Sequence, residues 1–314
     1  MINGIISVLV VFVLLSVGFY FTHGKKWPNN TNQVFSITVV QIAAPSLAVI
    51  SISHRFSPDL LKSAFWNLLL IAATIFIMHL IALLLGYLFK LETKKRAVFI
   101  TTFTFNNTMF IGLPINQIVF GNDGLPYLFT FYLVTITLFW SLGVYTLSKA
   151  SSKVEGKFSI NKIFSPGLVG VIIGCLLAGF QITLPTILDT SLTYLGNITV
   201  PLSLLVIGSN LAFSFKCGLP SLSRDKVVIL IGKFILHPFL IWGIFSLAGV
   251  LGLLNVTGPP LHVFILTASL PCHAQTAIVA QYYNVEGEYA SGLVSLSTLI
   301  SLITIPIYAG ILLT

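Results

Sequence analysis

Apolar runs long enough to cross a bilayer follow one another along this chain, with charge confined to the gaps between them. A helical span of the hydrocarbon core needs about 20 consecutive apolar residues. By that measure the sequence divides into ten runs, approximately 3–22, 33–53, 63–89, 97–119, 125–148, 163–181, 191–214, 226–252, 259–283 and 290–313. None alternates apolar and polar residues with period two, and all exceed a barrel strand in length. The expected fold is all-helical and integral to a membrane. Only 8% of the residues are charged, against roughly 25% in soluble proteins. Too few charges remain to cover the surface of a soluble domain.

The net charge of +8 is not a nucleic-acid signal, because the cations sit in short clusters between runs rather than along one face. They read as topology signals. With the N-terminus outside, thirteen of the sixteen cations fall in inside loops: Lys25 and Lys26; Lys90, Lys94, Lys95 and Arg96; Lys149, Lys153, Lys157 and Lys162; Lys216, Arg224 and Lys226. Arg55 and Lys62 fall outside, and Lys233 alone lies within a span. Both termini are therefore expected to be extracellular, in a multi-pass protein of the cell membrane. The first run, Gly4–Phe21, has no basic residue before it and reads as a retained helix rather than a signal peptide. Cys175, Cys217 and Cys272 are widely spaced and form neither a disulfide framework nor a zinc pattern.

The longest polar connection, Ser148–Lys162, splits the runs five and five: residues 1–148, a cytoplasmic loop 149–162, and residues 163–314. An odd number of spans per half makes the halves run oppositely through the membrane, an inverted repeat. The second span of each half carries one proline in a polar-flecked run, QIAAPSLAVIS around Pro45 and NITVPLSLLVIGSN around Pro201.

The fourth span of each half is interrupted, by TTFTFNNTMFIGLP over Thr101–Pro114 and by SLPCHAQ over Ser269–Gln275. Free backbone groups are costly in hydrocarbon, so such breaks persist only against protein or a wet cavity. Counting back from the polar turns at Asn122 and Asn284 pairs Asn106-Asn107 with Pro271-Cys272. Pro271 removes a backbone donor and frees a carbonyl one turn earlier. If both helices break where they cross, two half-helix N-termini point inward with positive partial charge and can hold an anion without a fixed cation.

The expected substrate-binding residues are Asn106, Asn107, Pro271, Cys272, His273 and Gln275, with Ser46 and Ser203 beside the two prolines. Lys233, His237 four residues on, and His79 are the candidates for a charge or proton relay. Lys233 lies about seven residues from the inner end of its span. Its chain either snorkels to the interface or faces a cavity. All eight acids, Asp59, Glu92, Asp123, Glu155, Asp189, Asp225, Glu286 and Glu288, fall in loops or at span ends. Membrane-embedded charge is then zero or positive, which favours an anionic substrate. No metal-ligand cluster, cofactor motif or catalytic set stands out, so neither a cofactor nor an enzyme is expected.

FNNTMFIGLPI resembles the fourth-span motif of the auxin efflux carrier family. SLPCHAQTAIVAQYYNV, followed by LVSLSTLISLITIPI, resembles that family's ninth and tenth spans. The resemblance implies a fold similar to that of sodium/proton antiporters and bile-acid transporters, in which broken spans four and nine cross. Spans one, two, six and seven would form a scaffold, possible as a homodimer contact; spans three to five and eight to ten would form a transport domain. By position Asn107 matches the family's crossover Asn and Pro271 its crossover Pro. Plant members often carry Pro where Asn106 stands, which points away from auxin itself. The expected activity is secondary active or facilitative transport of a small organic anion, a mono- or dicarboxylate such as malate or malonate or an auxin-like acid, by elevator-type alternating access. The alternatives are a proton- or sodium-coupled carrier of a neutral or bile-acid-like solute, a channel or sensor, and an intramembrane enzyme.

Overall fold

A computed structural model describes residues 2–28, 30–55, 58–151, 165–217, 221–252 and 258–313. Lys153, Glu155, Lys157 and Lys162 of the linking loop lie outside the described residues. Every regular element among those described is a helix. The first half runs through α1 (Ile2–His23), α2 (Thr31–Arg55), α3 (Pro58–Leu88), α4 (Thr93–Thr104), α5 (Leu113–Phe120) and α6 (residues 125–149). The second half runs through α7 (Pro166–Gly179), α8 (Thr186–Asn197), α9 (Thr199–Cys217), α10 (Arg224–Val250), α11 (Pro259–Ala268), α12 (Ala274–Tyr282) and α13 (Gly287–Leu312).

Six stretches among the described residues are long and apolar enough to cross a membrane. One of them, Thr108–Lys149, has 42 residues. At 1.5 Å per residue that is about twice the core of a bilayer. It reverses instead at Gly121, whose φ of +68° suits a residue without Cβ, and so separates α5 from α6. Large apolar side chains stand on the outer surface, with Ile187 81% and Val250 84% exposed. Such an apolar exterior suits lipid rather than water. The protein is an integral, multi-pass membrane protein.

Two helices carry a π-turn just before a proline. Pro238 cannot donate to Phe234, four residues earlier. A π-turn over Gly232–Leu236 takes up the distortion, and the Tyr308 hydroxyl donates to the Phe234 carbonyl at 2.6 Å. Pro45 follows a second π-turn, Val39–Ala43.

Glycines set the closest helix contacts. A Cβ on Gly208 would lie 2.0 Å from the Leu15 carbonyl oxygen, and one on Gly18 would lie 2.3 Å from that of Leu205. α1 and α9 therefore pack backbone to backbone, the small-residue contact that replaces the hydrophobic effect inside lipid. Gly170 and Gly174 seat α7 against Pro45, Ala48 and Ile52 of α2 in the same way. The largest apolar cluster lies elsewhere. It joins Ile71, Ile75 and Met78 of α3 with Phe99 and Phe103 of α4, Phe131 and Phe139 of α6, Phe245 of α10 and Leu293 of α13.

Candidate functional site: two broken helices joined by a short ribbon

Both polar interruptions are helix breaks, and they meet. α4 ends at Thr104, and Phe105 turns extended, with φ −98° and ψ 140°. α11 ends at Ala268, and α12 begins at Ala274. Between these ends, Asn106 and Cys272 face each other as an antiparallel bridge. The Asn107 amide donates to the Pro271 carbonyl at 2.9 Å, and the His273 amide donates to the Phe105 carbonyl at 3.1 Å. Two unwound segments thus satisfy each other's backbone groups, as burial in a membrane protein requires.

Asn106 is 1% exposed and fully engaged. Its NH2 donates to the carbonyls of Thr267, at 3.0 Å, and Ala268, at 2.7 Å, and reaches His237 Nδ1 at 3.2 Å. Thr267 is the residue four before Pro271, so Asn106 takes a carbonyl that the proline frees. Its side-chain oxygen accepts from the Lys233 ammonium. That ammonium also donates to the Phe105 carbonyl at 2.5 Å.

Lys233 is 0% exposed. The snorkelling alternative is overturned, because the side chain runs inward to the break. The reason is local. A Cβ on Gly232 would come within 2.2 Å of the Phe103 ring, so the bare backbone of α10 lies against α4. The π-turn that follows Gly232 holds Lys233 at this approach. Nothing in the sequence distinguishes such a lysine from a snorkelling one, although the preceding glycine is a signal of close approach.

Asn107 plays a different part. Its side-chain oxygen accepts from the Phe110 amide at 3.3 Å and caps the turn Thr108–Gly112 that leads into α5. It also lines a cavity of about 580 Å³. Ala274, the first residue of α12, borders the same space, with Phe110, Ile111, Ile278, Ser295 and Thr298. The cavity extends to Asn32 and Asn210, joined by a 2.8 Å side-chain hydrogen bond. Asn32 also borders the recess beside Lys25 and Trp27, which puts the mouth at that end of the molecule. None of the described residues that line it is charged.

The other expected site residues stand apart from this cavity. Cys272 is 0% and His273 5% exposed, and the His273 ring packs on Phe139 with centroids 4.4 Å apart. Pro271 and Gln275 do not line the cavity. The Ser46 hydroxyl is spent on the Ile42 carbonyl at 2.8 Å, and Ser203 is buried with no partner for its hydroxyl among the described residues. His79 touches Thr104 Oγ1 at 3.5 Å, a separation too long for a strong hydrogen bond. The residues inside the ribbon are consumed by pairing the broken backbones, and those flanking it, Asn107 and Ala274, reach open space. Sequence reasoning missed Asn32, Asn210, Ser295 and Thr298; their only signal was a polar side chain within or beside an apolar run.

A second cavity, of about 630 Å³, lies at the opposite end of the molecule. Arg55, Asn67, Asp123 and Tyr127 border it, and Arg55 pairs with Asp123 at 3.0 Å.

Comparison with known families decides the class. The profile of a family described as membrane transport protein matches residues 3–309. The chain belongs to this family, that of the auxin efflux carriers. An uncharacterized transporter of Methanocaldococcus jannaschii is 25% identical over 98% of both chains. An uncharacterized transporter of Methanothermobacter thermautotrophicus is 26% identical over 98% of this chain and 97% of its own. Membership of the auxin efflux carrier family makes the protein a membrane transporter rather than an enzyme.

Proposed function

We propose that this transporter is a secondary carrier of small organic anions, with its binding site in the cavity bordered by Asn107 and the start of α12. The observation that carries the reading is that Asn107 and Ala274 border one cavity whose described lining is uncharged. The leading amides of a helix have no carbonyl partner within the helix, and they bear a positive partial charge. A carboxylate beside Ala274 would meet such amides and the Asn107 NH2 together. Phe110, Ile111 and Ile278 on the other walls would receive an apolar body.

Ten spans in two inverted repeats is the fold we infer, and the glycine contacts support it. Gly18 of α1 packs against Leu205 of α9, and Gly170 and Gly174 of α7 pack against Pro45, Ala48 and Ile52 of α2. The first span of each half thus lies against the second span of the other half. In this reading α1, α2, α7, α8 and α9 form the scaffold, which could also carry a homodimer contact. The remaining helices carry the crossing. Between them lies an apolar seam in which Ile111 and Ile115 pack on Leu204 and Ile207. This apolar stretch favours sliding, and hence an elevator-type movement between the two cavities, with Arg55–Asp123 and Tyr132–Ser165 as polar contacts elsewhere between the two parts. The clustered cations support a reading with both termini outside, in the cell membrane. There a potential of about 100 mV, negative inside, favours export of one negative charge by roughly 2.3 kcal/mol.

The test is flux of radiolabelled malate or a monocarboxylate in proteoliposomes, comparing wild type with Asn107→Asp. Aspartate keeps the capping oxygen and removes the donor. It also adds a negative charge. The reading predicts loss of flux from a folded protein. Unchanged flux contradicts it.

A further inference from the structure

We propose that the ammonium of Lys233 is the tethered occupant of a monovalent-cation site created by the two helix breaks. Its oxygen partners are the Phe105 carbonyl at 2.5 Å and the side-chain oxygen of Asn106. Both are neutral. Among the described acids, the one on the same helix, Asp225, is engaged by Tyr289 and by Lys95 at 3.2 Å. The acceptors that face Lys233 are therefore a backbone carbonyl and a side-chain amide rather than a carboxylate. α4 and α11 both end at the crossing, and the last carbonyls of a helix carry partial negative charge.

Asn106 couples the second helix end to the same ammonium. Its NH2 faces the carbonyls of Thr267 and Ala268, which turns its oxygen toward Lys233. Carbonyl and amide oxygens converging on one point are the ligands that dehydrated alkali cations accept. Here the fold fills that point with its own side chain. Gly232 lets α10 approach, and the π-turn aims the next residue inward. The crossing thus carries a fixed positive charge and needs no soluble cation at this position. The inference concerns the crossing itself and holds whichever solute is carried.

The experiment measures thermal unfolding of the purified full chain in sodium, potassium, n-propylammonium and choline chlorides at equal ionic strength. Wild type is expected to melt at one temperature in all four. Lys233→Ala leaves room for the lost propylammonium portion of the side chain. It is expected to melt lower in choline and to recover by several degrees, saturably, in n-propylammonium or sodium, since a ligand of the folded state raises its stability. Lys233→Met keeps an apolar stem in the site and is expected to stay low in every salt. The proposal is overturned if Lys233→Ala behaves alike in all four salts, folded or not. It is equally overturned if Lys233→Met is as stable as wild type.

Discussion

The side-chain oxygen of Asn106 accepts a hydrogen bond from Lys233, 127 positions further along the chain. The same Asn106 amide donates to carbonyls of Thr267 and Ala268. One residue therefore ties α4, α10 and α11 together at the point where two helices have lost their own backbone bonds.

Asn106→Ala removes that tie and leaves Lys233 short of an acceptor. A hydrogen bond to a charged group contributes about 1.5–3 kcal/mol, so unfolding of the purified variant should show a loss of at least that size. A change within about 0.5 kcal/mol, the range of inert surface substitutions, would remove Asn106 from the tie.

Gly232 sets the distance between α10 and α4, since its missing Cβ would strike the Phe103 ring at 2.2 Å. Gly232→Ala should destabilise by about 1–3 kcal/mol, as overpacking does in a filled core. Adding Phe103→Leu should recover part of the loss, which a double-mutant cycle in thermal unfolding measures. Strict additivity would mean that the two residues do not oppose each other.

Gly208 and Gly310 form a matched pair for the contact between α1 and α9. A Cβ on Gly208 meets the Leu15 carbonyl oxygen at 2.0 Å, whereas one on Gly310 meets nothing within 4 Å. Backbone cannot move aside as a side chain can. Gly208→Ala should lower the melting temperature by several degrees, and Gly310→Ala should leave it unchanged or raise it, because alanine favours a helix by about 1 kcal/mol over glycine. Equal effects would contradict the packing account.

Arg55 and Asp123 pair across the second cavity at 3.0 Å. Asp123 is 93% exposed, so the pair adds about 1 kcal/mol or less to stability. Its interest lies in movement. In the elevator reading Arg55 belongs to the scaffold and Asp123 to the moving part. A reducible bifunctional thiol cross-link between Arg55→Cys and Asp123→Cys should stop flux in proteoliposomes, and reductant should restore it. Flux that survives complete cross-linking would exclude that movement.

Much of this arrangement was legible in the sequence, for a physical reason. Hydrocarbon penalises free backbone groups so heavily that FNN and LPCH within apolar runs had to mark breaks. Pro271 announced a freed carbonyl, and Thr267 now shares it with Asn106. The use of each polar side chain was not legible. Asn106 and Asn107 are adjacent and chemically identical, yet one is enclosed by three helices and the other caps a turn and borders a cavity. Lys233 was equally open, because snorkelling and burial differ only in what the neighbouring helix offers. The use of Ser46 was open for a similar reason: a serine within a helix has a carbonyl four residues back within reach, and its hydroxyl takes that of Ile42.

The account rests on an anion site built from helix ends beside a crossing that already holds its own cation. Charge movement across a protein-loaded supported membrane tests it most directly, with malate or a monocarboxylate applied in sodium-free choline buffer. The predicted result is a current of the sign of a moving anion, absent with the uncharged methyl ester and absent in Asn107→Asp. A current that appears only when sodium is present, or an equal response to the ester, would contradict it.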